Sequence, residues 1–214
     1  MVKKNTQTKT IGIPEPSIRR LPLYLSYART IDDRKNITAP QIARALNLDS
    51  TQVTKDISFT GIIGKTRVGY DINQLITGLE EFLGYNKKNE AFLIGAGNLG
   101  SALIKYKGFE DSGLKIIAAF DIDEQKIGKQ FEGIEVLAVS KFENLAERMH
   151  IRIGILTVPS EYAQEYADMM ISCGIKAIWN FTPVPINAPE DIIIENTSIY
   201  SNLAVIINKL NQNK

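Results

Sequence analysis

Three glycines, Gly95, Gly97 and Gly100, stand at G-x-G-x-x-G spacing directly after a short apolar run, Ala91 to Ile94. That arrangement suits a pyrophosphate. Gly95 permits a tight turn off a buried strand, Gly97 lets the backbone approach the phosphates, and Gly100 lets the next helix pack closely on the strand. The residues through Tyr106 suit that helix. Its start, where Ala96, Asn98 and Leu99 fill the spaces between the glycines, offers free N–H groups and the positive end of a dipole to an anion. A second apolar run, Lys115 to Phe120, ends in Asp121, about where a carboxylate meets a ribose hydroxyl. Glycines alone are a weak signal; the strand before, the helix after and the acid beyond make them a nucleotide site. A carboxylate repels a 2′-phosphate, so Asp121 points to NAD over NADP, and nearby Lys126 works against that preference.

A second group has the chemistry of nucleic-acid contact. Thr38-Ala39-Pro40-Gln41 reads as a capping box with proline in the first turn, starting a helix that stops at Asn47. Asp49 to Gln52 starts another through about Phe59. Val53 and Ile57, four apart, face inward, while Thr51, Gln52, Thr54, Lys55 and Ser58 are polar. Two capped helices across a tight turn form a helix-turn-helix, whose second helix reaches base edges and phosphates with such groups. Gly61, Gly64 and Gly69 then suit a hairpin carrying Lys65 and Arg67 at its tip, a wing able to place cations on DNA. Charge agrees: residues 1 to 70 carry 12 basic and 5 acidic residues, a balance of +7, and the remainder 13 and 19, a balance of −6. A polyanion is the expected partner of the first part.

Catalytic groups are scarce. The one histidine, His150, lies between a helix and a strand with no partner motif. The one cysteine, Cys173, reads as a buried thiol and rules out an intrachain disulfide. No metal-ligand spacing and no Ser-His-Asp or Cys-His pairing is present. No apolar run is long enough to cross a membrane and the N-terminus lacks a secretory signal, so the expected compartment is the cytoplasm. Binding without turnover is the reading these residues favour.

The elements that must position these groups follow from periodicity. Residues 1 to 12 read as a polar arm, Ser17 as a cap, and about Ile18 to Ile31 as a helix whose regular part begins near Arg20 or Leu21, because Pro22 is tolerated only in a first turn. Asp32 to Asn36 is a charged loop. Asp71 caps a helix with Ile72, Leu75, Ile76, Leu79 and Leu83 on one face, ended by Gly84. Tyr85 to Glu90 is the linker. Strands follow at Ile134–Val139, Ile151–Val158, Ile175–Phe181 and Asp191–Glu195, with helices at Lys141–Met149 and from a Ser160 cap to about Cys173. This alternation predicts an α/β fold: an N-terminal winged helix-turn-helix domain over residues 1–86, then a Rossmann-like doubly wound parallel sheet over 87–195. A C-terminal helix, about Ser198 to Asn211 within residues 196–214, carries a stripe of Ile199, Leu203, Ile206, Ile207 and Leu210 that packs on its own domain or on a second subunit.

A winged helix joined to an NAD-type Rossmann domain is uncommon, and the chain closely resembles the Rex family of redox-sensing transcriptional repressors. The markers are IPEPSIRRLPLY at 13–24, VTKDISFTGIIGKTRVGYD at 53–71, LIGAGNLGSAL at 93–103, AAFDIDEQKIG at 118–128, ILTVP at 155–159 and GIKAIWNFTPV at 174–184. The resemblance implies a homodimer with swapped C-terminal helices, an inverted-repeat DNA operator, and release from it when NADH replaces NAD+. By position it implies that Gly95 to Gly100 bind the pyrophosphate, Asp121 with Ile122 the adenosine ribose, and Thr157, Val158 and Pro159 the cofactor's flank. Tyr106 matches a tyrosine near the nicotinamide, Lys55 a DNA-contacting residue, and Arg19 or Arg20 an N-terminal arginine that in one redox state meets an aspartate near the C-terminal helix. Here that aspartate's place is taken by Ser198, Asn202 and Ala204 replace a usual Glu and Gln, and Thr54 and Thr60 replace a basic and an aromatic residue. Two other readings stay open: a small NAD-dependent oxidoreductase with a regulatory N-terminal domain, and a repressor whose Rossmann domain no longer senses redox state.

Overall fold

A computed structural model describes residues 12–31 and 35–212. The expected polar arm therefore lies, except for Gly12, outside the described residues, as do positions 32–34 of the expected charged loop. The chain divides into two compact units, Met1–Asn86 and Lys87–Lys214.

The first unit runs α1 (Glu15–Arg29), β1 (Asn36–Ile37), α2 (Ala39–Leu46), α3 (Ser50–Ser58), β2 (Tyr70–Asp71) and α4 (Ile72–Leu83). Helix α1 starts three residues before the expected Ile18 and holds Pro22 in its interior. Pro22 costs about 3 kcal/mol there. Against it, Leu21, Tyr24, Leu25 and Ala28 are almost wholly buried on one face, and each large apolar side chain contributes roughly 1.5–3 kcal/mol, so packing overrides the local penalty. Ser17 is not the cap; it is buried inside the helix, and its hydroxyl accepts from Arg20 Nη2 at 3.4 Å.

At the start of α2 the Gln41 side-chain oxygen accepts from the Thr38 N–H at 2.8 Å and its hydroxyl at 3.0 Å. The helix stops at Asn47, in left-handed conformation at φ 53°. Asp49 caps α3 by accepting the Thr51 and Gln52 N–H groups at 2.8 and 3.0 Å. Those bonds, Gln52's first, hold its carboxyl below the ordinary value. The expected wing hairpin is shorter than its glycines suggest. Lys65 and Gly69 exchange backbone bonds of 2.8 and 2.9 Å across a turn with Arg67 at φ 65°. Beyond it, β2 pairs antiparallel with β1, so Asn36 belongs to a strand, not to the charged loop.

The second unit runs β3 (Asn89–Ile94), α5 (Asn98–Ile104), α6 (Gly108–Asp111), β4 (Leu114–Asp121), β5 (Gln130–Phe131), β6 (Ile134–Ala138), α7 (Phe142–Met149), β7 (Ile153–Leu156), α8 (Ala163–Ser172), β8 (Ala177–Asn180), β9 (Ile193–Asn196) and α9 (Ile199–Gln212). The sheet order is β5-β6-β4-β3-β7-β8-β9, all parallel except β5. Both faces are covered. Phe92 and Ile94 pack with Phe120, Phe142 and Leu156 on one side; Ala91 and Leu93 pack with Ile104, Ala119 and Ile155 on the other. Burial on both faces is why these strands read as unbroken apolar runs.

Several boundaries differ from the sequence pattern. Strand β3 begins at Asn89, inside the expected linker, and β7 and β8 are each shorter than the apolar runs that contain them. Helix α5 ends at Ile104, not Tyr106. Ser160 begins a 3-10 turn, Ser160–Tyr162, ahead of α8, and makes no capping bond. Strand β5 carries no apolar pattern; it exists because Glu132 and Gly133, both at positive φ, close a hairpin onto β6.

Candidate nucleotide cleft and nucleic-acid interface

The chain leaves β3 through β4 to β6 on one side, then crosses back to β7 on the other. Loops at the C-terminal ends of β3 and β7 therefore diverge, leaving a crevice at the point where strand order reverses. Gly95 and Gly97 line a cleft of about 410 Å³ there. Gly95 has φ 102°, and a Cβ on it would stand 2.7 Å from the Thr157 carbonyl. Thr157 in turn pins the turn: its hydroxyl donates to the Gly95 carbonyl at 2.8 Å and its N–H to the Ile94 carbonyl at 3.0 Å. A Cβ on Gly100 would collide with the Gly95 carbonyl, so helix and turn close only on glycine. At Gly97, the residue capping α5, a Cβ would meet nothing within 4 Å. The first N–H groups of α5 follow Gly97 directly and have no acceptor inside the helix.

Asp121 ends β4 at the same cleft and is buried. Its Oδ1 accepts the Asp123 N–H at 2.9 Å, and Lys126 Nζ donates to its Oδ2 at 3.1 Å. Ile122, Thr157, Val158 and Pro159 also line the cleft. Ala96, Asn98, Leu99 and Gly100 form the turn and helix start behind it. Tyr106 is not brought in: it is 61% exposed on the segment after α5, its ring 5.0 Å from that of Phe109. Val139, Tyr162 and Tyr166, which no motif in the sequence marks, complete the cleft wall. The two tyrosines are four apart, a one-turn spacing, but only their place after the Pro159 strand end signals it. Burial, with the fields of Glu165 and Asp121 added, raises the Tyr166 pKa above the ordinary phenol value.

On the first unit, Thr51, Gln52, Thr54, Lys55 and Ser58 are all exposed on α3. Thr54 and Ser58 share a groove of about 670 Å³ with Lys65 and Arg67 of the wing turn. Their hydroxyls donate to the Ser50 and Lys55 carbonyls, at 2.9 and 2.6 Å, and keep lone pairs for a ligand. Lys55, Lys65 and Arg67 form no ion pair among the described residues. Arg19 lies on α1, paired with Glu15 at 2.7 Å. The inner side of α3 holds what periodicity did not reveal. Asp56 is 1% exposed and receives Arg20 Nε at 2.6 Å, Arg20 Nη2 at 2.8 Å and the Tyr24 hydroxyl at 2.6 Å. Burial alone would raise the Asp56 carboxyl; the bonds from Arg20, Tyr24 and Ser17 outweigh it and hold the pKa below the ordinary value. Desolvation and the bond to Asp56 together raise that of Tyr24.

The remaining titratable candidates lie elsewhere. His150 caps α7 in left-handed conformation, ahead of the N-terminal end of β7 and so at the far side of the sheet from the cleft. Cys173 is buried, which pushes its thiol pKa up. Among the described residues no group of three or more His, Cys, Asp or Glu could hold a metal, and no helix is long and apolar enough to cross a membrane.

Comparison with known proteins agrees with this division. A family model described as the N-terminus of a putative DNA-binding protein matches residues 12–58, and one described as a CoA binding domain matches residues 86–184. The chain is 44% identical to the redox-sensing transcriptional repressor Rex of Bacteroides thetaiotaomicron, over 99% of this chain and 97% of the relative. It is likewise 44% identical to the Rex of Treponema denticola, over 93% and 96%. Among solved structures it is similar to RSP in complex with β-NAD+ and operator DNA, with TM-score 0.88, 34% identity and 94% of each chain covered. It is also similar to RSP in complex with β-NADH, with TM-score 0.86, 35% identity, and 96% and 97% covered. With identity of this extent over nearly its whole length, the chain belongs to the Rex family of redox-sensing transcriptional repressors.

Proposed function

We propose that this protein is a DNA-binding repressor that holds its operator with NAD+ and leaves it when NADH binds. One observation carries the cofactor: open space at Gly97, at the strand-order reversal, with the Asp121 carboxylate at the end of the next strand. NAD(H) fits those groups. The α5 start from Gly95 to Gly100 would receive the pyrophosphate and Asp121 the adenosine ribose, with Ile122, Thr157, Val158 and Pro159 flanking. Bound there, the nicotinamide supplies the oxidised or reduced state that is read. Equal binding to two conformations shifts no equilibrium, so the groups shared by both forms give affinity, and discrimination belongs to whatever meets the nicotinamide ring. Tyr106 and the segment near Ile199, brought together in a dimer, are the assigned candidates.

Helix α3 enters the major groove with Thr51, Gln52, Thr54, Lys55 and Ser58, while Lys65, Arg67 and Arg19 contact phosphate or the minor groove. One such unit reads one half-site, so the operator is an inverted repeat and the repressor a homodimer. The swapped dimer element is α9, within residues 196–214, whose Leu203, Val205, Ile206, Ile207 and Leu210 are all exposed in the single chain. The Ile199 side chain lies outside the described set. The domains are 1–86 for DNA and 87–195 for the cofactor, and the protein works in the cytoplasm as a binder, not an enzyme.

Titrating NADH fluorescence tests the site. Wild-type protein should saturate, and Asp121→Ala should weaken binding about tenfold or more, the range for a lost hydrogen bond to a charged group. Unchanged affinity in Asp121→Ala would remove the residue from the site, and steady consumption of NADH in the presence of small carbonyl compounds would favour an oxidoreductase.

A further inference from the structure

The root of α9 is held by the one tryptophan of the chain. Trp179 Nε1 donates to Thr197 Oγ1 at 2.7 Å, and the Thr197 N–H donates to the Asn180 carbonyl at 2.8 Å. The amide of buried Asn180 also donates to Asn196 Oδ1 at 2.8 Å. The last two residues of β8 thus clasp the last residue of β9 and the one after it. Beyond that point the large apolar side chains described on α9 are exposed. The clasp, and not packing along the helix, therefore sets where α9 starts out.

The same indole continues into a row of rings. Trp179 meets Phe109 with centroids 5.4 Å apart at 64°, and Phe109 meets Tyr106 at 5.0 Å and 76°. Both are edge-on contacts of the favourable kind. The Tyr106 hydroxyl makes no hydrogen bond with a described residue, so packing alone fixes that exposed ring. Gly108, the first residue of α6, supplies the second wall: a Cβ there would stand 2.7 Å from the ring. Tyr106, Phe109, Trp179 and Thr197 form one unbroken line within a single subunit. It joins an exposed tyrosine to the root of the helix that reaches the partner.

We propose that Gly108, Phe109 and Trp179 are positioning residues of the redox response: they hold the Tyr106 ring and the Thr197 root of α9 as one body, so that a group pressing on Tyr106 moves the start of α9. The inference rests on the reading of Tyr106 and the α9 start as the groups that meet the nicotinamide. None of the three residues lines the nucleotide cleft. Cutting the line should therefore spare cofactor binding and dimer assembly and reduce the difference that NADH makes at the operator, because coupling between sites is carried by groups that move together.

The quantity to measure is the ratio of operator affinities with saturating NAD+ and saturating NADH, on the full-length protein at fixed salt. Thr197→Val removes the acceptor and should lower that ratio by about threefold or more, within the range for one hydrogen bond. Thr197→Ser keeps the hydroxyl and should stay within about twofold of wild type. Gly108→Ala pushes on the Tyr106 ring and should lower the ratio too. NADH affinity and sedimentation mass should stay at wild-type values in all three, which a general loss of folding would not allow. Thr197→Val added to Tyr106→Ala should lower the ratio no further than Tyr106→Ala alone, since both cut one line. With no cofactor present, Thr197→Val should move Trp179 emission to shorter wavelength as the indole bond is lost. Unshifted emission refutes the clasp. A ratio that Tyr106→Ala reduces and Thr197→Val leaves unchanged refutes the link and keeps Tyr106 in its role. A changed sedimentation mass in Thr197→Val makes the clasp an assembly element and refutes its part in the redox response. A ratio that Tyr106→Ala leaves unchanged removes the nicotinamide reading of Tyr106, and the link falls with it.

Discussion

Gly97 and Gly100 sit in one turn, yet a methyl group added at each meets opposite surroundings. At Gly97 it enters open cleft; at Gly100 it strikes the Gly95 carbonyl. Gly97→Ala should therefore fold with nearly unchanged thermal stability and lose NADH affinity by about tenfold or more, because the methyl takes the place of a phosphate oxygen. Gly100→Ala should lower the melting temperature by several degrees before any ligand is added, the cost of overpacking being about 1–3 kcal/mol. Equal melting temperatures in the two variants would contradict this division. Asp56 makes the second argument. Removing one partner of a buried ion pair costs roughly 3–5 kcal/mol, so Asp56→Asn should unfold the N-terminal unit at markedly lower denaturant and weaken operator binding without touching DNA. The sign with pH follows from the lowered Asp56 pKa. A carboxyl whose pKa is depressed by folding contributes stability above its unfolded value, near 3.8, and loses it as pH falls below that through the folded value. The wild-type unit should weaken in that acid window and the Asn variant should not show that dependence, read by denaturant midpoints at pH 7 and below 4.

Helix α9 ends the chain with an apolar stripe that the rest of the single chain does not cover. A stripe of that width is rarely left in water. Removing residues 198–214 should turn a dimer into monomers or aggregates in sedimentation velocity; an unchanged soluble dimer would contradict its role. The elements were legible to different degrees, for identifiable reasons. Sheet and cleft were readable because strands buried on both faces announce themselves as apolar runs, and because glycine spacing encodes a backbone shape. The caps Thr38, Asp49 and Asp71 were readable for the same local reason. Helix α1 was misjudged at its start because Pro22 is a local signal and the packing of Leu21, Tyr24 and Leu25 is not. Asp56 was hidden because a buried acid on a polar helix looks like a surface one; only the fold brings Arg20 and Tyr24, more than thirty residues earlier, onto it. The tyrosines of the cleft were hidden likewise, since nothing in a one-turn spacing says which side of α8 meets Asp121.

At the scale of the whole molecule, one chain joins a positively charged DNA-reading unit to a dinucleotide unit of opposite net charge. Lys65→Ala or Arg67→Ala should weaken operator and unrelated DNA alike and lower the salt slope by about one unit per lost phosphate contact; Lys55→Ala should weaken the operator chiefly. Arg20 is already engaged by Asp56 within its own unit, and Ser198 offers no charge to draw it away. The NADH response should therefore be present but smaller than an aspartate at 198 would give, and Ser198→Asp should widen it. The most direct test of redox sensing is operator binding by the wild-type repressor on an inverted-repeat duplex at fixed salt, titrated in parallel with saturating NAD+ and saturating NADH. Tight binding with NAD+ and a clear loss of affinity with NADH are expected; identical binding curves with the two cofactors would contradict redox sensing by this repressor.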